Sequence, residues 1–327
     1  MPKLNVQQNN QNVIQAFKNA LAIGNLKGII ASDGNHNFST SGSNPNLLDN
    51  AYFVGGGSQL GYGIFPINQR GQTSYTGGIT GFDRWTVDGG DFTATLESGG
   101  VRVTSTTPYA GLSQILPAYK LQNGETYTYS IVVDGVLHTV TFVANSDGNW
   151  ANIYYGEDWY VPYQFINGKW TFKIINTLTS NGMNHLISKA KIEKGTVSTL
   201  VNDAPPNFGE ELEKCKRYLQ RVKQPQGYTA SVGFGMVGAA SNILRTTIPL
   251  SSPLRNAASI TATATNTGQM FVWGNGSYYS VTGVTGRTVL NGNAIVDITV
   301  NGTLENYKTY NLILNNADAY IDLSAEL

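Results

Sequence analysis

Three features of the sequence predict a mainly β fold: short runs of alternating apolar and polar residues, Asp-Gly and Asn-Gly pairs between those runs, and a composition poor in charge. Charged residues make up 13% of the 327 positions, against about 25% in an average domain, and glycine supplies 37 of them. Thr, Ser, Asn and Tyr fill the difference, which suits many strands joined by tight turns. The basic residues (21) and acidic residues (21) cancel, so the positive footprint of a nucleic-acid binder is missing. The length accommodates two domains and an arm. The first residues lack the apolar centre of a secretion signal, and no run approaches the length of a membrane span. Cys215 is the one cysteine, which excludes an internal disulfide. Lying among apolar residues at helical spacing, it reads as a buried structural thiol rather than a nucleophile. The expectation is a soluble chain made in a reducing cytoplasm, without nucleic-acid binding or membrane insertion.

Residues 1–43 form an arm. Val6, Val13, Ile14, Phe17 and Leu21 recur at helical spacing, with Gly24 as a stop. The stripe is narrow and fits two arrangements, packing on sister chains or a docking partner, or lying on the chain's own β-domain. Ser39 to Ser43 reads as a linker.

Residues 44–200 are predicted to form a jelly-roll sandwich. Tyr127, Tyr129, Ile131 and Val133 alternate with Thr126, Thr128 and Ser130, the pattern of a half-buried strand. Asp134-Gly135 turns that strand into 136–143, and Asn167-Gly168 joins 163–166 to Trp170, Phe172 and Ile174. Further strands are expected at 92–96, 101–104, 112–116 and 185–192. So many short strands indicate a sandwich or jelly roll.

A junction helix is predicted over 207–221, within a linker spanning 201–223. Asn207 can cap it with Glu210 completing a capping box. Phe208, Leu212, Cys215 and Leu219 make one stripe, and Glu210–Lys214 and Glu213–Arg217 are favourable i,i+4 pairs. The stripe is expected to pack on the terminal β-module or around a threefold axis. Residues 224–327 repeat the β texture, with eight candidate strands and turns at Asn291-Gly292 and Asn301-Gly302.

Several of these stretches, taken in order, resemble bacteriophage and prophage virion proteins of the tail-fibre and receptor-binding type. They are Asn46 to Phe53 (NLLDNAYF), Ile67 to Tyr75 (INQRGQTSY), Phe82 to Trp85 (FDRW) and Lys189 to Gly195 (KAKIEKG). The Glu210 to Tyr218 helix and the Ala319 to Leu327 finish (AYIDLSAEL) complete the set. The similarity covers 44–327. It departs in the insertion 55–63 and in Lys216, where a Gln is usual. The resemblance implies a galactose-binding-like jelly roll, a terminal β-sandwich fibre head, a homotrimer and a place in the virion. The arm would then bind other particle proteins. Calcium near Asp49 and Asn50 is named on the resemblance alone; otherwise no cofactor is expected.

The strongest binding candidate is an aromatic cluster of Trp150, Tyr154, Tyr155, Glu157, Asp158, Trp159 and Tyr160. Rings can cover the apolar face of a sugar while carboxylates accept its hydroxyls. Core or trimer packing fits the same rings, since aromatic residues dominate cores as well. Trp159 and Tyr160, beside two acids, are expected to be exposed, whereas Trp85 and Trp170 belong to the core. His36, His138 and His185 are scattered and show no metal-ligand spacing. Glu157 and Asp158 would point to opposite faces of a strand, and no Gly-x-Ser-x-Gly elbow occurs, so no enzyme activity is expected. The sequence points to non-catalytic attachment to host-surface glycans. The alternative is a head fibre or capsid decoration protein with a mainly structural role.

Overall fold

The computed structural model describes residues 44–54, 65–155, 159–177, 182–224, 229–237, 240–256 and 258–325, with two short strands in the arm. Strand accounts for 53% and helix for 7%, the mainly β class that composition and turns predict. The arm strands β1 (Ala31–Ser32) and β2 (Phe38–Ser39) pair with each other. The helix expected over 6–21 lies outside the described residues. No helix among the described residues is long and apolar enough to cross a membrane.

The first module contributes β3 (Ser74–Thr76), β4 (Ile79–Thr80), β5 (Thr86–Asp88), β6 (Thr93–Glu97), β7 (Gly100–Ser105) and β8 (Gly111–Pro117). It continues with β9 (Thr126–Val133), β10 (Val136–Val143), β11 (Ala151–Tyr154), β12 (Trp159–Ile166), β13 (Lys169–Thr177) and β14 (Met183–Lys194). These make two six-stranded antiparallel sheets, ordered β10-β9-β14-β7-β6-β3 and β11-β12-β13-β8-β5-β4. Their facing sides share one core, with Trp85, Phe53, Phe82, Phe172 and Tyr129 fully buried and Trp170 nearly so. Asp134-Gly135 and Asn167-Gly168 both adopt paired left-handed conformations (φ 50° and 81°; 52° and 72°), as two-residue hairpins require.

After the single described α-helix, α1 (Phe208–Lys216), the second module adds β15 (Leu219–Lys223), β16 (Ala230–Val237), β17 (Ile243–Pro249), β18 (Thr261–Thr265) and β19 (Met270–Gly274). The remaining strands are β20 (Ser277–Leu290), β21 (Asn293–Val300), β22 (Thr309–Leu314) and β23 (Tyr320–Ser324). The β-texture expected here is present, but one of its two sheets closes on itself. Strands β16-β17-β21-β20-β19-β22 form a barrel, and β15-β23-β18 form a three-stranded sheet packed on the same core. Closure removes the exposed edges that an open sheet would offer to other chains.

The junction helix is shorter than its pattern. Asn207 caps it, its side chain accepting from Glu210 N at 3.2 Å, but Arg217 ends it and 219–223 is a strand paired with β23. Tertiary pairing overrides the continuing helical stripe, so Leu219 is buried in a sheet. The ion pairs are Lys214–Glu211 and Lys216–Glu213 at 2.8 Å, one residue closer than the expected i,i+4 pairs. The stripe also faces the other way. Phe208, Leu212 and Cys215 pack with Phe65, Ile67 and Tyr52 of the first module rather than on the terminal one.

The hub of this junction is Asn50, 1% exposed and left-handed at φ 52°. Its side chain donates to the carbonyls of Ile67 (2.9 Å) and Asp83 (2.8 Å) and accepts from Ile67 N (2.7 Å). Its backbone N–H donates to Glu211 of the helix, and its carbonyl accepts from Trp85 Nε1 at 2.8 Å. Around it, Asp49 pairs with Arg84 (3.3 Å) and Lys120 (3.4 Å), and Arg84 stacks over Tyr218 at 3.4 Å. The two residues named for calcium are thus engaged by protein groups. Gln69 then bridges modules, donating to Asp83 (2.6 Å) and to the Leu219 carbonyl (2.8 Å). Arg221 forms a fork on Asp322 (2.7 Å for both bonds) and donates to the Arg70 carbonyl.

Asn50→Gly keeps the backbone conformation but strips the Ile67 and Asp83 groups of their partner. Each buried group left unpaired costs about 1–3 kcal/mol, so the variant is expected to lose roughly 3–5 kcal/mol in urea denaturation. Asn50→Ala should lose about 1 kcal/mol more, because alanine resists positive φ. A glycine variant as stable as the parent would remove Asn50 from this role. Cys215 is fully buried, and burial, reinforced by Asp83, Glu211 and Asp49, pushes its thiol pKa up. A thiol-specific disulfide reagent should therefore label it only as the protein unfolds, with rates tracking denaturant.

Candidate functional site on the outer face of the first module

Strand alternation divides the predicted aromatic cluster between two faces. Along β11, Ala151 and Ile153 turn to the core, so Trp150, Asn152 and Tyr154 turn outward. Along β12, Trp159, Val161 and Tyr163 enter the core and Tyr160 faces out. Register pairs Tyr154 with Tyr160, and their rings stack with centroids 5.7 Å apart at 23°. Among the described members of the cluster, Trp150 and Tyr154 are exposed, at 50% and 58%.

The pair expected to be exposed is buried instead. Trp159 (4%) enters the sandwich, stacked on Tyr155 at 4.6 Å and met edge-on by His138 at 5.1 Å. Tyr160 (5%) lies on the outer face but beneath Tyr154. Burial, with the Tyr109 and Tyr154 phenols close by, raises its pKa. Tyr155 is half-buried and packs against the core, its hydroxyl buried without a hydrogen-bond partner. Burial and the neighbouring Tyr129 push its pKa up. Glu157 and Asp158 lie outside the described residues. Trp85 and Trp170 are core residues as expected, Trp170 in the phase that its alternation with Phe172 and Ile174 indicated.

Three further residues complete the face. Lys173 projects from β13, its Nζ lying 2.6 Å from Asp88 of β5, 3.5 Å from the Tyr109 carbonyl and 5.8 Å from the Trp150 ring centroid. Tyr109 stands 64% exposed in a left-handed conformation (φ 67°) at the turn before β8. Lys173 is mostly covered and Asp88 partly open to solvent, so their pair orients polar groups on this face. Asn152 Nδ2 donates to the Tyr154 hydroxyl at 3.0 Å. The face therefore presents rings at both ends, with a cation, a carboxylate and an amide between them.

Lys173 was legible as the polar phase of the Trp170, Phe172, Ile174 alternation, but Asp88 and Tyr109 come from distant turns that no spacing links to Trp150. Among the described residues, no group of three or more His, Cys, Asp and Glu gathers as a metal site. No protein-family model matches the chain, and no curated protein matches it either.

Oxidation by N-bromosuccinimide, mapped by peptide mass spectrometry, should modify Trp150 and Trp273 (50% and 40% exposed) well before Trp85, Trp159 and Trp170 (0%, 4% and 1%). Early modification of Trp159 would contradict its place between the sheets.

Proposed function

We propose that this chain is a fibre component of a phage particle, and that it holds bacterial surface glycans without catalysis on the outer face of its first β-module. The observation that carries this reading is the set of outward rings, Trp150, Tyr154 and Tyr109, around the Lys173–Asp88 pair. An exposed sheet face normally alternates to polar side chains, so rings there call for an apolar partner with hydroxyls. A sugar ring fits both demands: its C–H face stacks on an aromatic ring while its hydroxyls reach Asp88, Lys173 and Asn152. Among the described residues, Asp88 brings a carboxylate to this face, where it can accept from those hydroxyls. The ordered motifs that resemble phage fibres supply the biological setting, and a homotrimer within a virion follows from the same resemblance. Each contact would be weak, with avidity across three chains and several fibres supplying the strength.

A glycan array probed with the full chain tests the reading. Trp150→Ala and Tyr154→Ala should each weaken the signal about tenfold, roughly the loss of one stacking contact. Trp159→Ala should instead lower thermal stability, since it empties part of the core. Unchanged array binding by the Trp150→Ala, Tyr154→Ala double variant would defeat the proposal.

A further inference from the structure

The barrel of the second module carries a strand whose alternation is inverted. Along β16, Gly233 and Gly235 turn inward, while Phe234 and Met236 stand outward at 59% and 55% exposure. The inward positions are closed to larger residues. A Cβ on Gly233 would lie 2.7 Å from Thr246 Cγ2, and one on Gly235 would run into the Arg245 carbonyl. Crowding thus explains the glycines, but it gives no reason for large apolar side chains on the opposite, exposed side.

Register extends this feature across the barrel wall. Phe234 pairs with Asn311 of β22, Asn311 with Trp273 of β19, and Trp273 with Tyr278 of β20. The outward order is therefore ring, amide, ring, ring, with Trp273 and Tyr278 40% and 67% exposed. Phe234 and Trp273 lie two strands apart, about 9–10 Å by the spacing of hydrogen-bonded strands. Beside them, Phe234, Met236, Thr247, Thr309 and Arg245 line an open depression of about 750 Å³.

Charge narrows the choice of ligand. Arg245 (Nε to Asp297 at 3.0 Å) and Arg287 (Nε to Asp297 at 2.7 Å) share one carboxylate, and both guanidiniums are half exposed. Of the two, Arg245 lines the depression, and because Arg287 shares its Asp297 partner the three groups together carry one net positive charge; no carboxylate lines the depression among the described residues. Guanidinium favours carboxylate through paired charge-assisted hydrogen bonds.

We infer that this barrel face is a second glycan site, built for an extended β-linked chain that carries carboxylates. Alternate sugars stack on Phe234 and Trp273, Asn311 meets the hydroxyls of the sugar between them, and Arg245 takes a uronate carboxylate. The site shares no residue with the first-module face, so either can fail alone.

The test uses β-1,4-linked oligomannuronate and β-1,4-manno-oligosaccharide of the same length, chains that differ in the carboxylate. Both are titrated into the full chain by calorimetry. The acidic oligomer should bind, and the neutral one should bind about tenfold more weakly, the scale of one charge-assisted contact. Trp273→Ala, Phe234→Ala and Arg245→Gln should each weaken the acidic ligand about tenfold with the thermal midpoint retained. Tyr154→Ala, on the other module, should leave it unchanged. Equal binding of both oligomers, or no loss in Arg245→Gln, would overturn the acidic specificity. Retained affinity in Phe234→Ala and Trp273→Ala would overturn the site. Sedimentation showing that Phe234→Ser separates associated copies would assign the face to a second copy of this chain instead.

Discussion

One buried amide fixes how the two halves of the molecule meet. Asn50 spends its side chain and both backbone groups on protein partners, reaching Ile67, Asp83, Trp85 and the helix residue Glu211. A polar side chain at that depth is tolerable only when every group is satisfied, and satisfying them requires all these segments to arrive in one geometry. The ion pairs around it extend the constraint to the second module through Gln69, Tyr218 and Arg221. Hydrophobic packing holds each module together; the polar network decides their relative direction. The two aromatic faces are carried on parts whose mutual placement is set by that network.

The motifs that resemble a fibre family acquire a physical meaning here. NLLDNAYF brings Asp49 and Asn50, INQRG brings Ile67, Gln69 and Arg70, and FDRW brings Asp83, Arg84 and Trp85. These residues meet one another at the junction. Their chemistry is that of a joint, which accounts for short polar patterns separated by unrelated sequence. Lys191 shows the same economy nearby: its fully buried ammonium is shared by Thr199 and Asp203.

Much of the architecture was legible because it rests on local rules. Left-handed Asx-Gly turns fixed hairpins at 134–135, 167–168 and 291–292, and alternation located most of the long strands. The short strands β3, β4 and β5 carry too few residues to show a period, so they escaped notice. Leu219 escaped for another reason: its helical spacing is real, but pairing with β23 wins over a stripe that α1 could not continue to bury. Barrel closure depends on which strands finally meet, and no local pattern records that. At the candidate site the aromatic cluster was visible in the sequence, yet its exposed members were not. Two acids beside Trp159 suggested solvent, whereas the phase of β12 placed that ring between the sheets and left Trp150 and Tyr154 outside. Asp88 and Lys173 join the face only because β5 and β13 flank β8.

The strand order of the small sheet has a consequence during synthesis. Strand β23 lies between β15 and β18, and its Asp322 receives the fork of Arg221. The middle strand of that sheet is thus made after both strands it joins, about 60 and 100 residues behind them. Until it arrives, β15 and β18 have no partner in that sheet, and the clamp on the first module lacks its carboxylate. A nascent chain could close its first sandwich and the Asn50 joint while still tethered, but could complete the small sheet of its second module only once β23 had been made. Messages that stop short of β23 would yield chains with a sound first half and a second module whose small sheet lacks its middle strand.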